Sequence, residues 1–177
     1  MDAARMKFKV VIPARLGSTR LPRKVLREIG GRPLLRWVFE AALKTDAEQV
    51  VVATDADEVA LACRDFGADV VMTAASHNSG TDRVNEVART RRWAPDTIVV
   101  NLQGDEPLMP PALVRQAAEL LARDPQADIA TLCHPLTDAA EWRNPNVVKV
   151  VMDAQNYALY FSRAPIPHRR DAGKGRA

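Results

Sequence analysis

The 177-residue chain is 47% hydrophobic and 27% charged, an ordinary composition for a globular domain that can bury a core. Its net charge of +3 lies in the tail, because residues 168–177 hold four Arg or Lys residues and one Asp. A neutral body lacks the basic face that nucleic acids need, so we expect no nucleic-acid partner. The start lacks the apolar core of a signal peptide and no apolar run could span a bilayer, so we expect no membrane partner and a cytoplasmic location.

Short apolar runs alternate with helical patterns along most of the chain. The predicted elements are, in order, strand 8–12, helix 33–44, strand 49–54, helix 55–66, strand 69–72, helix 81–90, strand 97–102, helix 111–123 and strand 129–132. We expect Asp55 to cap the second helix and Ser79 or Thr81 to cap the third. Strands that are apolar throughout are typical of a mostly parallel sheet with helices on both faces.

The pattern changes after residue 143. Two apolar runs, 147–152 and 157–162, surround a turn and predict a β-hairpin. The sequence therefore predicts a Rossmann-like α/β domain over 1–143, a hairpin over 144–167 and a basic tail over 168–177. Neither a dinucleotide-binding Gly-x-Gly-x-x-Gly nor a Walker A motif follows the first strand. Cys63 and Cys133 form no CxxC motif, so we expect two buried structural thiols.

A loop with four cations follows the first strand. Residues 13–26 contain Arg15, Arg20, Arg23 and Lys24 together with the turn residues glycine, serine and proline. Ligands of open α/β sheets bind beyond the carboxyl ends of the strands. Guanidinium and ammonium groups at that edge, with backbone N–H groups left free by the turn, suit a polyphosphate. The alternative is a solvated basic loop.

Asp105 and Glu106 follow the fourth strand and should emerge at the same edge. A carboxylate there can hold Mg²⁺ together with substrate phosphates and water, although an acidic turn is the alternative. Residues 77–83 lead into the third helix, and their backbone and Ser79 could read a nucleotide base. The histidines show no zinc-ligand spacing, and no Ser-His-Asp triad is recognisable.

Read together, these segments resemble the 3-deoxy-manno-octulosonate (KDO) cytidylyltransferase family, also called CMP-KDO synthetases. The matching stretches, in family order, are IPARLGSTRLPRKVL, VVATD, HNSGTDR, VNLQGDEP, NPNVVKVV and YALYFSRAPIP. The first stretch is also similar to sugar-nucleotide cytidylyltransferases in general, including CMP-sialic acid synthetases. The segments around HNSGTDR, NLQGDEP and YFSRAPIP narrow the resemblance to the KDO enzymes.

The resemblance implies a fold of the nucleotide-diphospho-sugar transferase type and a reaction of CTP with KDO. The sugar's anomeric hydroxyl attacks the α-phosphorus with Mg²⁺ present, giving CMP-KDO and pyrophosphate for lipopolysaccharide biosynthesis. The resemblance assigns triphosphate contacts to Arg15, Arg20 and Lys24, a magnesium ligand to Asp105, the nucleotide-base segment to Ser79, Gly80 and Arg83, and the sugar side to Gln103 and Arg163, with Arg15, Lys24 and Asp105 as the catalytic set.

The family continues past the SRAPIP segment with sugar-contacting His and Tyr residues, a Glu-Gln segment and a second acidic metal ligand. We therefore expect a truncated chain that binds CTP with Mg²⁺ but turns over poorly or not at all. The resemblance implies a homodimer, much of whose contact lies near and beyond residue 167. Two alternatives stay open: a non-catalytic nucleotide-binding fragment that acts as a structural partner, and a cytidylyltransferase for sialic acid or an 8-amino sugar.

Overall fold

The computed structural model describes residues 6–17 and 21–168. Arg20 and the predicted tail after His168 lie outside the described residues. The described residues form two compact units, divided between Ala130 and Thr131. The boundary predicted from the sequence, between residues 143 and 144, remains a prediction.

The first unit is built around a four-stranded sheet. Its elements are β1 (Lys9–Pro13), a 3-10 turn (Lys24–Leu26), β2 (Glu28–Ile29), β3 (Arg32–Pro33), α1 (Leu34–Leu43), β4 (Gln49–Thr54), α2 (Asp57–Asp65), β5 (Asp69–Met72), α3 (Gly80–Thr90), β6 (Val99–Asn101) and α4 (Pro111–Arg123). The sheet order is β5-β4-β1-β6 and every neighbouring pair is parallel, while β2 and β3 form a separate antiparallel pair.

Both faces of the sheet are covered, as the apolar strands predict. Val10 and Ile12 of β1 pack into a core cluster with apolar residues of α1, α2 and α4. Val11 points to the opposite face and packs with Val84 and Val87 of α3. All three β1 side chains have no exposed surface. The predicted α/β class, a parallel sheet with helices on both faces, is confirmed.

The direction in which the chain crosses the sheet reverses between β1 and β6. β4 and then β5 are added on one side of β1, whereas β6 pairs with the other side. In open α/β sheets the crevice at such a switch point, beyond the carboxyl ends of the strands, is the usual ligand site. The loop that contains Lys24 follows β1, and the loop that contains Asp105 follows β6, so both emerge there.

Asp55 does not cap the second helix. Helix α2 starts after Ala56 and has no side-chain cap, and the Ala56 N–H is accepted by the Thr54 hydroxyl at 3.2 Å. The Asp55 carboxylate binds Arg83 instead. The cap of α3 is Ser79, one of the two predicted residues, whose Oγ accepts the N–H of Asp82.

Two further expectations are wrong. Residues 129–132 form no strand, and Ile129 is 82% exposed, because no neighbouring strand pairs with this apolar run among the described residues. Cys133 is exposed rather than buried, since it lies in the same irregular segment. Cys63 is buried as predicted, and its burial raises the pKa of the thiol to about 12.

The second unit contains the predicted hairpin. Its elements are α5 (Ala139–Arg143), β7 (Lys149–Met152) and β8 (Ala158–Ser162), and the two strands pair antiparallel. Asp153 shapes the turn between them, because its carboxylate accepts the N–H groups of Gln155 and Tyr157, both at 2.9 Å. Within residues 6–17 and 21–168, no helix has the length and apolarity needed to cross a membrane.

The placement of α1 against the core can be tested with two leucine substitutions on this helix. Leu35 has no exposed surface, whereas Leu43 on the same helix is 56% exposed. We expect Leu35→Ala to lower the free energy of unfolding by about 2–5 kcal/mol, because it leaves a cavity in the core. Leu43→Ala, the matched control, should change it by no more than ~0.5 kcal/mol. Urea denaturation measures both, and equal losses would contradict the placement of α1.

Candidate active site

The loops after β1 and β6 meet through an ion pair. Lys24 Nζ donates to Asp105 Oδ2 at 2.5 Å, and the two side chains are 37% and 41% exposed. A pair this exposed contributes only ~0–1 kcal/mol to stability. It can therefore be exchanged at little cost for the charges of a ligand. The structure thus brings together the predicted phosphate-binding ammonium and the predicted metal-binding carboxylate.

Gly104 allows this approach of the two loops. The residue is buried, and a Cβ atom built on it would lie 2.9 Å from the carbonyl oxygen of Pro13. The same atom would lie 3.5 Å from a methyl carbon of Leu35 and 3.6 Å from one of Ile12. Only a residue without a side chain fits in this space. The close contact between Gly104 and the end of β1 places the next residue, Asp105, beside Lys24.

The start of α3 lies at the same edge of the sheet. A Cβ atom on Gly80 would lie 3.4 Å from Pro13 Cγ and 3.9 Å from Asn101 Nδ2, so Gly80 packs where β1 and β6 end. Ser79 is exposed, and its hydroxyl also donates to the Asp82 carboxylate at 2.7 Å. The predicted base-binding segment therefore begins beside the crevice between β1 and β6.

Arg83 is part of the protein interior. It is 2% exposed, and its guanidinium donates to Asp55 Oδ2 at 2.9 Å and to the Thr73 hydroxyl. The Thr73 hydroxyl in turn donates to the Thr54 carbonyl at 3.1 Å. These bonds tie α3 to the ends of β4 and β5. A direct contact of Arg83 with a nucleotide base stays a prediction. Sequence reasoning missed Asp55 and Thr73 as its partners, although both follow strands at this edge.

A second contact holds the loop between β5 and α3. The Glu86 carboxylate pairs with His77 Nε2 and accepts the backbone N–H of Ala74 at 2.9 Å. The hydrogen bond with His77, followed by the one with Ala74, holds the pKa of Glu86 below its ordinary value of 4.5. The loop that precedes the predicted base-binding segment is thereby fastened to α3.

Two other predicted site residues in the described part of the first unit, Arg15 and Gln103, are exposed. Arg15 follows β1 by two residues, and Gln103 follows β6 and donates from Nε2 to Asn101 Oδ1 at 3.1 Å. Partial burial of the Glu106 carboxyl group, together with the charge of the neighbouring Asp105, raises the pKa of Glu106. Arg163 belongs to the second unit, where it is exposed and donates to the Pro145 carbonyl at 2.9 Å.

The donors at the crevice fit a cation that arrives with its own ligands. Within the described ranges, no three His, Cys, Asp or Glu side chains are grouped as a metal site. Asp105 offers one accessible carboxylate of hard oxygen atoms. Mg²⁺ is commonly held by one or two carboxylates and completed by substrate phosphates and water. The residues therefore fit Mg²⁺ bound to a nucleotide, not a cage made of protein alone.

The space around Gly104 can be tested by adding one carbon atom. We expect Gly104→Ala to lower the free energy of unfolding by about 1–3 kcal/mol, because the new Cβ would overlap the Pro13 carbonyl. The matched control is Gly17→Ala, since no described atom lies within 4 Å of a Cβ at that position. Chemical denaturation of both variants gives the comparison. A Gly104→Ala protein as stable as the control would exclude the close approach.

The Glu86 contacts predict a pH dependence. A carboxylate with a lowered pKa stabilises the fold fully above its ordinary pKa of 4.5 and loses that contribution as the pH falls through the folded value. Near neutral pH, Glu86→Gln should lower the melting temperature by about 1–3 °C. The difference from the parent should vanish well below pH 4.5. Calorimetry over this range measures it, with Glu119→Gln on α4 as the control, and a difference independent of pH would refute the contact.

Known proteins are similar to this chain in sequence and in fold. Residues 9–174 match the family model described as cytidylyltransferase. The 3-deoxy-manno-octulosonate cytidylyltransferase of Thioalkalivibrio sulfidiphilus (strain HL-EbGR7) is 54% identical over 169 residues, which cover 96% of this chain and 68% of that relative.

Solved structures of cytidylyltransferases are also similar to this chain. The structure of CMP:2-keto-3-deoxy-manno-octonic acid synthetase complexed with CTP matches with a TM-score of 0.86 at 44% identity, covering 96% of this chain and 69% of that chain. A cytidylyltransferase from Leptospira borgpetersenii serovar Hardjo-bovis (strain JB197) matches with a TM-score of 0.56 at 24% identity, over 68% of this chain and 50% of that chain, and shows the fold alone. The chain therefore belongs to the cytidylyltransferase family and, within it, to the 3-deoxy-manno-octulosonate cytidylyltransferases.

Proposed function

We propose that this chain transfers CMP from CTP to KDO. The anomeric oxygen of the sugar forms a bond to the α-phosphorus, the bond from that phosphorus to the bridging oxygen breaks, and pyrophosphate and the hydroxyl proton leave. The observation that carries the proposal is the exposed Lys24–Asp105 pair across the β1–β6 switch point. The relatives support the choice of substrates, since one is named for this sugar and another was solved with CTP.

In this proposal the triphosphate of CTP replaces Asp105 as the partner of Lys24. Arg15, exposed on the same loop, supplies a second cation, and Arg20 is the third candidate on that loop. Charge-assisted hydrogen bonds to phosphate are short and strong, whereas the exposed pair they replace is weak. Phosphoryl-type transfer depends on positioning and charge neutralisation, and these side chains provide both.

Asp105, once released from Lys24, would hold Mg²⁺ together with phosphate oxygens and water. When bound, the ion neutralises negative charge that develops on the leaving pyrophosphate. The Asp105 carboxylate cannot serve the ammonium and the cation fully at once, so binding of nucleotide and of metal should be coupled through this one side chain.

The rest of the site completes the proposal. The Ser79–Gly80 segment supplies the base contact, and Gln103, which follows β6, lies on the sugar side. The Arg163 guanidinium suits the carboxylate of the sugar. A homodimer, a cytoplasmic location and a role in lipopolysaccharide biosynthesis belong to the same proposal. The exposed apolar side chains of β8, among them Leu159 and Phe161, support a contact between subunits.

CTP binding to two variants tests the proposed exchange. Lys24→Ala should weaken CTP binding about tenfold, because a charge-assisted contact to phosphate is lost. Asp105→Asn should bind CTP more tightly than the parent in EDTA, since the ammonium is free for phosphate. The same variant should lose most of the gain in affinity that Mg²⁺ gives the parent. Titration calorimetry with and without Mg²⁺ measures both effects.

The control is Lys44→Ala. Lys44 is exposed and follows α1, next to the segment that enters the amino end of β4, at the edge opposite the crevice. The CTP affinity of the Lys44→Ala variant should equal that of the parent. If Lys24→Ala binds CTP as tightly as the parent, the loop is a solvated basic segment that does not bind phosphate. Pyrophosphate release with CTP and either KDO or sialic acid tests the sugar, and release with sialic acid alone would overturn the choice of KDO.

A further inference from the structure

The second unit contains a buried lysine whose ammonium donates to three backbone carbonyl groups. Lys149, the first residue of β7, is 2% exposed. Its Nζ donates to the carbonyl oxygens of Asn144 at 2.9 Å, Val147 at 2.7 Å and Arg163 at 2.6 Å. An ammonium has three N–H donors, and three acceptors lie within hydrogen-bond distance. None of the three acceptors is a carboxylate.

These bonds join two parts of the chain that are far apart in sequence. Asn144 and Val147 lie in the turn that leads into β7, whereas Arg163 directly follows β8. The Arg163 guanidinium returns to the same turn, because its Nη1 donates to the Pro145 carbonyl at 2.9 Å. The backbone and the side chain of Arg163 are therefore both fixed against one turn, and Lys149 holds that turn from inside.

The burial of the Lys149 ammonium is energetically unfavourable unless its hydrogen bonds offset the cost. Taking a charge out of water is unfavourable, and an apolar side chain of similar length would pack without that cost. The ammonium gives in return three directed bonds that set the ends of the hairpin. It also keeps a positive charge within hydrogen-bond distance of the Arg163 backbone. The nearby positive charge favours an anionic ligand at the Arg163 side chain.

We propose that Lys149 is a positioning residue for Arg163: its ammonium, by holding the Arg163 carbonyl and the turn before β7, fixes the guanidinium that receives the carboxylate of the acidic sugar. This inference rests on the proposed function, which assigns Arg163 to the sugar. Lys149 itself is too deeply buried to touch the substrate.

Limited proteolysis with trypsin tests the contact between Lys149 and the Arg163 carbonyl without CTP or KDO. The enzyme cleaves after arginine, and the bond it would cut between Arg163 and Ala164 contains the carbonyl that Lys149 holds. We expect cleavage at this bond to be about tenfold faster in Lys149→Met than in the parent, because three hydrogen bonds that resist local opening are lost. Lys149→Arg should restore the slow rate, and Lys44→Met is the control. Mass spectrometry identifies the bond that is cut.

Steady-state kinetics then separate positioning from general damage. Lys149→Met should raise the KM for KDO about tenfold and leave the KM for CTP within about twofold. Because this variant removes all three donors at once and can unfold the hairpin, Lys149→Gln, which keeps two donors, is measured beside it with circular dichroism as a check on folding.

The possible outcomes are distinct. Unchanged cleavage after Arg163 in both Lys149→Met and Lys149→Gln overturns the proposed role of Lys149, whatever the activity. Faster cleavage with an equal rise in both KM values, or with an unchanged KM for KDO, shows a structural lysine only and also overturns it. A parent chain that forms no product from CTP and KDO overturns the proposed function and its sugar site, while the cleavage rates still decide whether Lys149 holds Arg163.

Discussion

The close contact between Gly104 and the carbonyl of Pro13 is the constraint on which the site depends. Parallel pairing of β1 with β6 brings two loops to one edge, but pairing alone does not decide how near they come. The missing side chain of Gly104 lets the second loop lie on the end of the first strand. That contact places Asp105 within reach of Lys24, so backbone packing contributes to the charge arrangement.

Two ion pairs at this edge have opposite properties. Lys24 and Asp105 are each about two-fifths exposed, so water already solvates both and their separation costs little. The side chains of Arg83 and Asp55 are 3% and 19% exposed, and removing one partner would leave an uncompensated charge inside the protein. The exposed pair can therefore exchange partners when a ligand binds, while the buried pair keeps α3 in place. A shared edge of the sheet thus contains a replaceable pair and a permanent one.

The sequence allowed most of the fold to be predicted and less of the site. The strands 49–54 and 69–72 and the helix 111–123 have the predicted bounds, because each is a compact apolar or periodic segment between turn signals. The prediction of a strand over 129–132 is wrong, because a strand needs a partner and no local pattern shows whether one exists. The prediction that Asp55 caps α2 is wrong for a similar reason. Its partner Arg83 is 28 residues away, and only the packing of α3 brings the two together.

Cations in the two units are used in different ways, although residue type alone does not separate them. Lys24 is partly exposed, and its partner is a carboxylate that can be exchanged, so its charge is available to a ligand. Lys149 is buried, and its partners are carbonyl groups that belong to the backbone, so its charge holds structure. Both residues are lysines in recognisable motifs beside strands. The proposed binding residue Lys24 and the proposed positioning residue Lys149 thus differ in the exposure of the ammonium and in the nature of its acceptors, and both properties come from the fold.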